Sequence, residues 1–194
     1  MDHPATPKQQ LRKAIRQRKN LYSLEQRQAW SNEIEQRLLH HPRIKQAHVV
    51  MLYYALPDEV DTRHLVDALL AEGKTVILPK CVDDAHIEPR LYTGPNDLAE
   101  GIYNLLEPVG QPYTDVQRIE VIVVPGMSFD GEGHRLGRGR GYYDRFLEQL
   151  PDVYKMGVCY HFQRVDWVPT DPYDQAMDEV VSNAPAPLAD CAQQ

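Results

Sequence analysis

A chain of 194 residues with 42 % hydrophobic and 25 % charged residues fits one globular domain with a substantial core. A net charge of −7 and a pI near 5.6 argue against a general nucleic-acid binder, which needs a basic field. No apolar run approaches the ~20 residues of a membrane span. The first residues lack the apolar stretch of a secretory signal, and Cys81, Cys159 and Cys191 are too scattered for a disulfide framework or a metal-ligand spacing, so a cytoplasmic protein is expected.

Lys8 to Lys19 reads as a basic helix with Pro7 in its first turn and a thin stripe of Leu11 and Ile15. Lys8 and Arg12, four apart, share one face; on their own they read as a solvated charge run. Ser23 to Leu39 is a second helix. Ser23 and Gln26 form a capping-box pattern, and Trp30, Ile34 and Leu38 recur every fourth residue.

Ala47–Ala55 reads as a buried strand. After Leu56-Pro57-Asp58-Glu59-Val60-Asp61-Thr62 comes a helix carrying Leu65, Val66, Leu69 and Leu70, closed by Gly73, with Asp61 its expected N-cap. Thr75–Leu78 is the next strand, ending at Pro79-Lys80. Strand, helix, strand implies a right-handed parallel crossover, with ligands expected at the carboxyl ends of the strands. Glu59 stands there, as a substrate-reading carboxylate or as an acidic residue near a helix start. His86 to Pro112 is polar and turn-rich, with a weak strand signal at Arg90–Thr93 and an extended Glu107-Pro108.

The stretch from Val121 to Leu147 carries most information. Val121, Ile122, Val123 and Val124 suit a strand buried on both faces. Pro125 and Gly126 end it. Gly131, Gly133, Gly137, Gly139 and Gly141, five of the eleven glycines, then alternate with Arg135, Arg138 and Arg140. A helix follows, with Tyr143, Phe146, Leu147 and Leu150 on one stripe. Strand, glycine-rich basic loop and helix is a recipe for holding phosphate, because bare backbone N–H groups, a helix start and bidentate guanidinium groups converge. Asp144 could hold an accompanying metal ion. The glycine spacing is neither a Walker A motif nor the dinucleotide fingerprint. Lys155–Tyr160 and Glu179–Ser182 are short strands joined by a proline-rich connection, and the chain from Pro185 is expected to fray.

Taken together, these motifs resemble the 5-formyltetrahydrofolate cyclo-ligase family (methenyltetrahydrofolate synthetases). Val124-Pro125-Gly126-Met127-Ser128-Phe129-Asp130 followed by Gly133-x-Arg135-Leu136-Gly137-Arg138-Gly139-x-Gly141-Tyr142-Tyr143-Asp144 is the most specific part. Lys8-x-x-x-Arg12, Asp58 to Thr62, Leu78-Pro79-Lys80, Glu107-Pro108, Gln163, Asp174 and Asp178 join it, so the resemblance runs from about Lys8 to Val181. It implies a single three-layer α/β domain over residues 1–194 (core about 8–183), with a mostly parallel, Rossmann-like open sheet flanked by helices. The implied reaction closes 5-formyltetrahydrofolate to 5,10-methenyltetrahydrofolate with ATP and Mg2+, through a phosphorylated formyl group.

By the same resemblance, ATP contacts fall on Lys8, Arg12 and the run Arg135, Leu136, Gly137, Arg138, Gly139, Arg140, Gly141, Tyr142 and Tyr143. That assignment replaces the solvated-face reading of Lys8 and Arg12. Folate contacts fall on Tyr54, Glu59, Arg138, Gly139, Arg140, Gly141 and Tyr142, catalytic roles on Arg138, Arg140 and Tyr142, and magnesium on Asp144 and Asp174. Arg140 stands where relatives often carry lysine. Tyr173 and Ser182-Asn183 also depart from the family pattern, which leaves Asp171 or Asp178 as alternatives to Asp174. A monomer acting on small molecules, with neither nucleic acid nor membrane as partner, is expected. Two other readings stay open: an RNA-associated module using Arg-Gly-Arg-Gly-Tyr-Tyr, and a folate- or nucleotide-binding relative without catalysis.

Overall fold

A computed structural model describes residues 4–101 and 106–184 of the protein; the expected fraying from Pro185 lies outside the described residues, as does Cys191. Helix α1 (Pro7–Lys19) opens on a capping box in which Thr6 and Gln9 exchange side-chain and backbone hydrogen bonds. Helix α2 (Leu24–Leu39) opens on the Ser23–Gln26 box that the sequence shows. A short helix, α3 (Pro42–Gln46), was not foreseen; Pro42 starts it behind the His41 cap.

Strand β1 is only Val49–Met51, not the nine residues of Ala47–Ala55. Beyond Met51 the chain stays buried, and Leu52 N–H still reaches the Ile77 carbonyl at 2.9 Å, but it then turns into the Asp58–Glu59 loop. Helix α4 (Arg63–Ala71) has Thr62 at its N-cap position, not Asp61, whose carboxylate instead accepts from Arg63 N–H. Strand β2 runs Thr75–Cys81, past the expected end at Leu78, because β3 (Ile87–Tyr92) pairs antiparallel with it along its length and keeps it extended through Pro79. The short strands β4 (Leu98–Glu100) and β5 (Leu106–Pro108) pair with each other.

Strand β6 (Val121–Pro125) is the centre. The six-stranded sheet adds β9 (Tyr154–Cys159) and β10 (Glu179–Ser182) in the order β10-β9-β6-β1-β2-β3, all parallel except the β2–β3 edge. Alternation along β6 divides the core. Val121 and Val123 face the layer of α2, α3 and α4 with Ile34, Leu38, Ile44, Leu65 and Leu69. Ile122 and Val124 face helix α5 (Tyr142–Glu148) through Phe146 and Leu147. Both faces of the strand are therefore buried, as the uninterrupted β-branched run requires.

The stretch read as one long glycine loop is in fact two pieces. Strands β7 (Ser128–Phe129) and β8 (Arg135–Leu136) form a small hairpin, and only residues 137–141 remain as a loop before α5. Buried Asp130 organises the hairpin: its carboxylate accepts from the N–H groups of Glu132, His134 and Val168 and faces His134 Nδ1 at 2.9 Å. Gly133, at φ +84°, sits so close to the returning tail that an added Cβ would lie 2.2 Å from the Met177 carbonyl oxygen. Helix α1 packs Ile15 against Met127, Leu136 and Val168, which seats it beside the loop.

Burial alone would raise the Asp130 carboxyl, but the hydrogen bonds from His134 and the backbone lower it below the ordinary carboxylate value. Its stabilisation is therefore complete above the unfolded pKa of about 4 and is lost as pH falls through the lower folded value. Asp130→Asn is expected to unfold at lower urea concentration than the parent at pH 7, with the gap closing as pH drops below about 4. Parallel pH profiles of the two midpoints would contradict that role.

Candidate active site

A cleft of about 560 Å³ opens where α1, the loop after β1, the end of β2 and the loop at residues 137–141 meet. These are carboxyl ends of parallel strands, the expected ligand edge of an open α/β sheet. Three of the cleft's positions hold positive charge in different ways.

The first is α1. Its seat on the hairpin aims Lys8 and Arg12 inward. Arg12 Nε donates to the Gly137 carbonyl at 2.8 Å, and Lys8 bridges Asp171, at 2.7 Å, and Asp174. Burial opposes the charge on Lys8, but its hydrogen bonds to Asp171 and Asp174 raise its pKa above the ordinary lysine value. Asp171 and Asp174 thus share one ammonium, while Asp178 turns away to cap Lys155 N–H at 2.7 Å.

The second is the loop at residues 137–141. Gly139 (φ +113°) and Gly141 (φ +68°) take left-handed conformations that side chains resist, which turns Arg140, between them, away from Arg138. Arg138 crosses the cleft to Asp58 (2.6 Å) and to Glu59 Oε1 (3.0 and 3.1 Å). Arg140 reaches Asp84 at 2.6 Å, and Tyr142 donates its hydroxyl hydrogen to the Asp83 carbonyl at 2.9 Å. The two side chains therefore lean towards the β2–β3 turn.

The third is Arg135, whose place differs from the rest of the run. Its side chain is 4 % exposed, lies in β8, and makes a paired contact to both oxygens of Asp144 at 2.9 Å. It also lies over the ring of half-buried Tyr143. The guanidinium forms the floor of the cleft and fixes Asp144. Gln175 N–H donates to Asp144 Oδ1 at 3.2 Å, so the tail segment bearing Asp174 is stitched to the helix bearing Asp144.

Arg138 lowers the carboxyls of both Glu59 and Asp58, yet their net shifts run in opposite directions. Burial dominates at Glu59 and pushes its carboxyl up, with Arg138 and Leu56 N–H pulling it only part of the way back. At Asp58 burial is outweighed by the hydrogen bonds from Arg138 and Lys19, and the carboxyl falls to about 2. Tyr54 flanks Glu59 on the wall of the cleft, its hydroxyl pKa raised by burial.

Sequence reasoning located Lys8, Arg12, Glu59, Tyr54 and the loop arginines, and the fold brings them into one cleft. It did not assign Asp58, Asp83 or Asp84 to the site. Asp58 stands in the quoted Asp58 to Thr62 motif, next to Glu59, and could have been found there; the Asp83–Asp84 turn carries no local signal.

Among the described residues no group of three or more His, Cys, Asp or Glu side chains stands together to hold a metal. Two carboxylates at one edge, Asp144 and Asp174, nevertheless suit an ion that keeps several waters and takes its remaining ligands from phosphate. The lysine and guanidinium groups around the open loop suit a polyphosphate.

The model of the 5-formyltetrahydrofolate cyclo-ligase family matches residues 4–183. A 5-formyltetrahydrofolate cyclo-ligase of Escherichia coli is 30 % identical over 176 residues, covering 87 % of this chain and 96 % of its own. A probable 5-formyltetrahydrofolate cyclo-ligase of Schizosaccharomyces pombe is 32 % identical over 158 residues, covering 73 % and 78 %. Among solved structures, the 5,10-methenyltetrahydrofolate synthetase of Aquifex aeolicus superposes with a TM-score of 0.80 at 35 % identity, covering 92 % of this chain and 90 % of that one. A family match over nearly the whole chain, on a fold with the same layers, means that this chain belongs to the 5-formyltetrahydrofolate cyclo-ligase family of ligases.

Proposed function

We propose that this protein converts 5-formyltetrahydrofolate and ATP into 5,10-methenyltetrahydrofolate, ADP and phosphate. The observation that carries the reading is the meeting, across Arg138, of a cation-lined half of the cleft with a half bearing Tyr54 and buried Glu59. One half has the donor chemistry for a triphosphate; the other has an aromatic wall and a carboxylate for the N–H groups of a pterin. Among the described residues no helix is long and apolar enough to cross a membrane.

The chemistry needs both halves. A formamide oxygen is a poor leaving group, so it first attacks the terminal phosphorus of ATP and ADP departs. N10 of the folate then adds to the activated formyl carbon. The C–O bond breaks, phosphate leaves, N10 gives up its proton, and the methenyl bridge remains. Phosphoryl transfer depends mainly on positioning and on charge placed around the moving group. In this reading Lys8, Arg12 and the backbone of Gly137, Gly139 and Gly141 hold the phosphates. Arg138 and Arg140 move onto the transferring group, and Tyr142 closes over the folate. Arg135 and Leu136 support the floor, Tyr143 backs it, and Asp144 and Asp174 would hold Mg2+, which screens the phosphate charge when bound.

The first check is the absorbance of the methenyl product. It is expected only when 5-formyltetrahydrofolate, ATP and magnesium are all present, and chelation should abolish it. Turnover without ATP would sink the reading, and RNA binding that weakens steeply with salt, in place of turnover, would favour the Arg-Gly module.

Arg138→Ala removes the donor common to both halves and is expected to lower kcat about 100-fold or more while the fold persists. Near-normal kcat in a folded variant would refute its role. Glu59→Ala is expected to raise KM for the folate by roughly tenfold or more, the value of a hydrogen bond to a charged group, with ATP affinity retained. Equal loss of both affinities would instead mark Glu59 as a support for the loop arginine.

A further inference from the structure

A second cavity, about 760 Å³, adjoins the cleft and shares Tyr54, Leu56 and Glu59 with it. It lies beyond the folate half, away from Lys8 and Arg12. Its wall includes Arg27, from the early turns of α2, together with Tyr160 and, at the rim, Arg63.

Arg27 is unusual among these side chains. It is half-buried, its Nε is shut off from solvent, and it has no hydrogen-bond or carboxylate partner among the described residues. Arg63 by contrast is closed onto Asp61 at 2.8 Å, and Arg138 onto Asp58 and Glu59. The Tyr160 hydroxyl is also engaged, donating to the Glu59 carbonyl at 2.9 Å with Ser31 Oγ 3.0 Å away. A guanidinium held partly out of water without a partner is costly, and the cost is offset when a ligand anion enters the cavity.

Folate has the matching shape. If the formyl group on N5 faces Arg138 and Arg140, the fused rings lie against Tyr54 and Glu59, at the boundary of the two cavities. The aminobenzoyl arm must then leave the nucleotide half. The neighbouring cavity offers it the rings of Tyr54 and Tyr160, and at the wall a cation for the carboxylates at the end of the arm. We propose that Arg27 binds a glutamate carboxylate of the folate, so that the second cavity is the site of the substrate's anionic tail. This rests on the cyclo-ligase reading and adds a residue outside the loop and motif positions that carry it.

The test compares 5-formyltetrahydrofolate with its diamide, in which both glutamate carboxylates are capped as neutral amides. Binding of each to the wild-type protein, Arg27→Gln and Arg27→Lys would be measured by calorimetry, with ATP titrated separately. Wild type should bind the acid about tenfold or more tighter than the diamide. Arg27→Gln should lose that preference and leave diamide and ATP affinities unchanged, and Arg27→Lys should restore part of it. Discrimination that survives in Arg27→Gln overturns the proposal and leaves the cyclo-ligase reading intact. If the Gln variant does not fold, wild type decides: equal affinity for acid and diamide overturns the proposal equally. Failure of wild type to bind either compound removes the cyclo-ligase reading, and the tail site with it.

Discussion

Positive charge gathered in one cleft has to be held there before any anion arrives. Lys8, Arg135, Arg138 and Arg140 converge from α1, β8 and one short loop, and like charges a few ångströms apart repel. The chain answers with a carboxylate for each: Asp171 and Asp174 for Lys8, Asp144 for Arg135, Asp58 and Glu59 for Arg138, Asp84 for Arg140. These pairs differ in kind. The Arg135–Asp144 pair is sheltered, with one guanidinium nitrogen held between both carboxylate oxygens, so removing one partner would strand a buried charge. The Arg140–Asp84 pair is mostly exposed and contributes little to stability. A rigid floor and exchangeable outer contacts follow from that difference in burial alone.

The exchangeable contacts gather around Arg138 and Arg140. Arg138 and Glu59 satisfy each other. Burial makes Glu59 a carboxylate that needs a donor, and the low pKa of Asp58 keeps a second charge beside Arg138.

Much of this was legible in the sequence where local chemistry governs. The helix of Ser23 and Gln26, the all-buried strand at Val121 and the last strand at Glu179–Ser182 depend on caps and hydrophobic runs, which neighbours in sequence supply. Strand lengths were not, because pairing decides them: β1 stops at Met51 although apolar residues continue, and β2 runs on because β3 accompanies it. The hairpin of β7 and β8 hid inside a glycine-rich run, since five glycines suggest a loop more strongly than Ser128-Phe129 and Arg135-Leu136 suggest strands. Among charged residues, type and spacing pointed to the loop arginines, while Lys8 and Arg12 read on their own as a solvated charge run and entered only through the family resemblance; the counter-charges of Lys8 and Arg138 are long-range partners. Nothing near Arg140 announces Asp84, 56 residues earlier.

The ion pairs of Lys8 join positions 163 and 166 residues apart, so the basic end of α1 and its acidic partners lie near opposite limits of the described chain. Ribosomes add residues at about 5–20 per second, so roughly 8–30 s pass between the synthesis of Lys8 and that of Asp174. Throughout that interval the basic helix lacks Asp174, and for most of it also the β8 residue Leu136 that buries Ile15. The part of the cleft lined by α1 is therefore among the last parts of the molecule to be completed, and a nascent chain cut short before residue 171 carries the loop arginines without the Lys8 ion pairs.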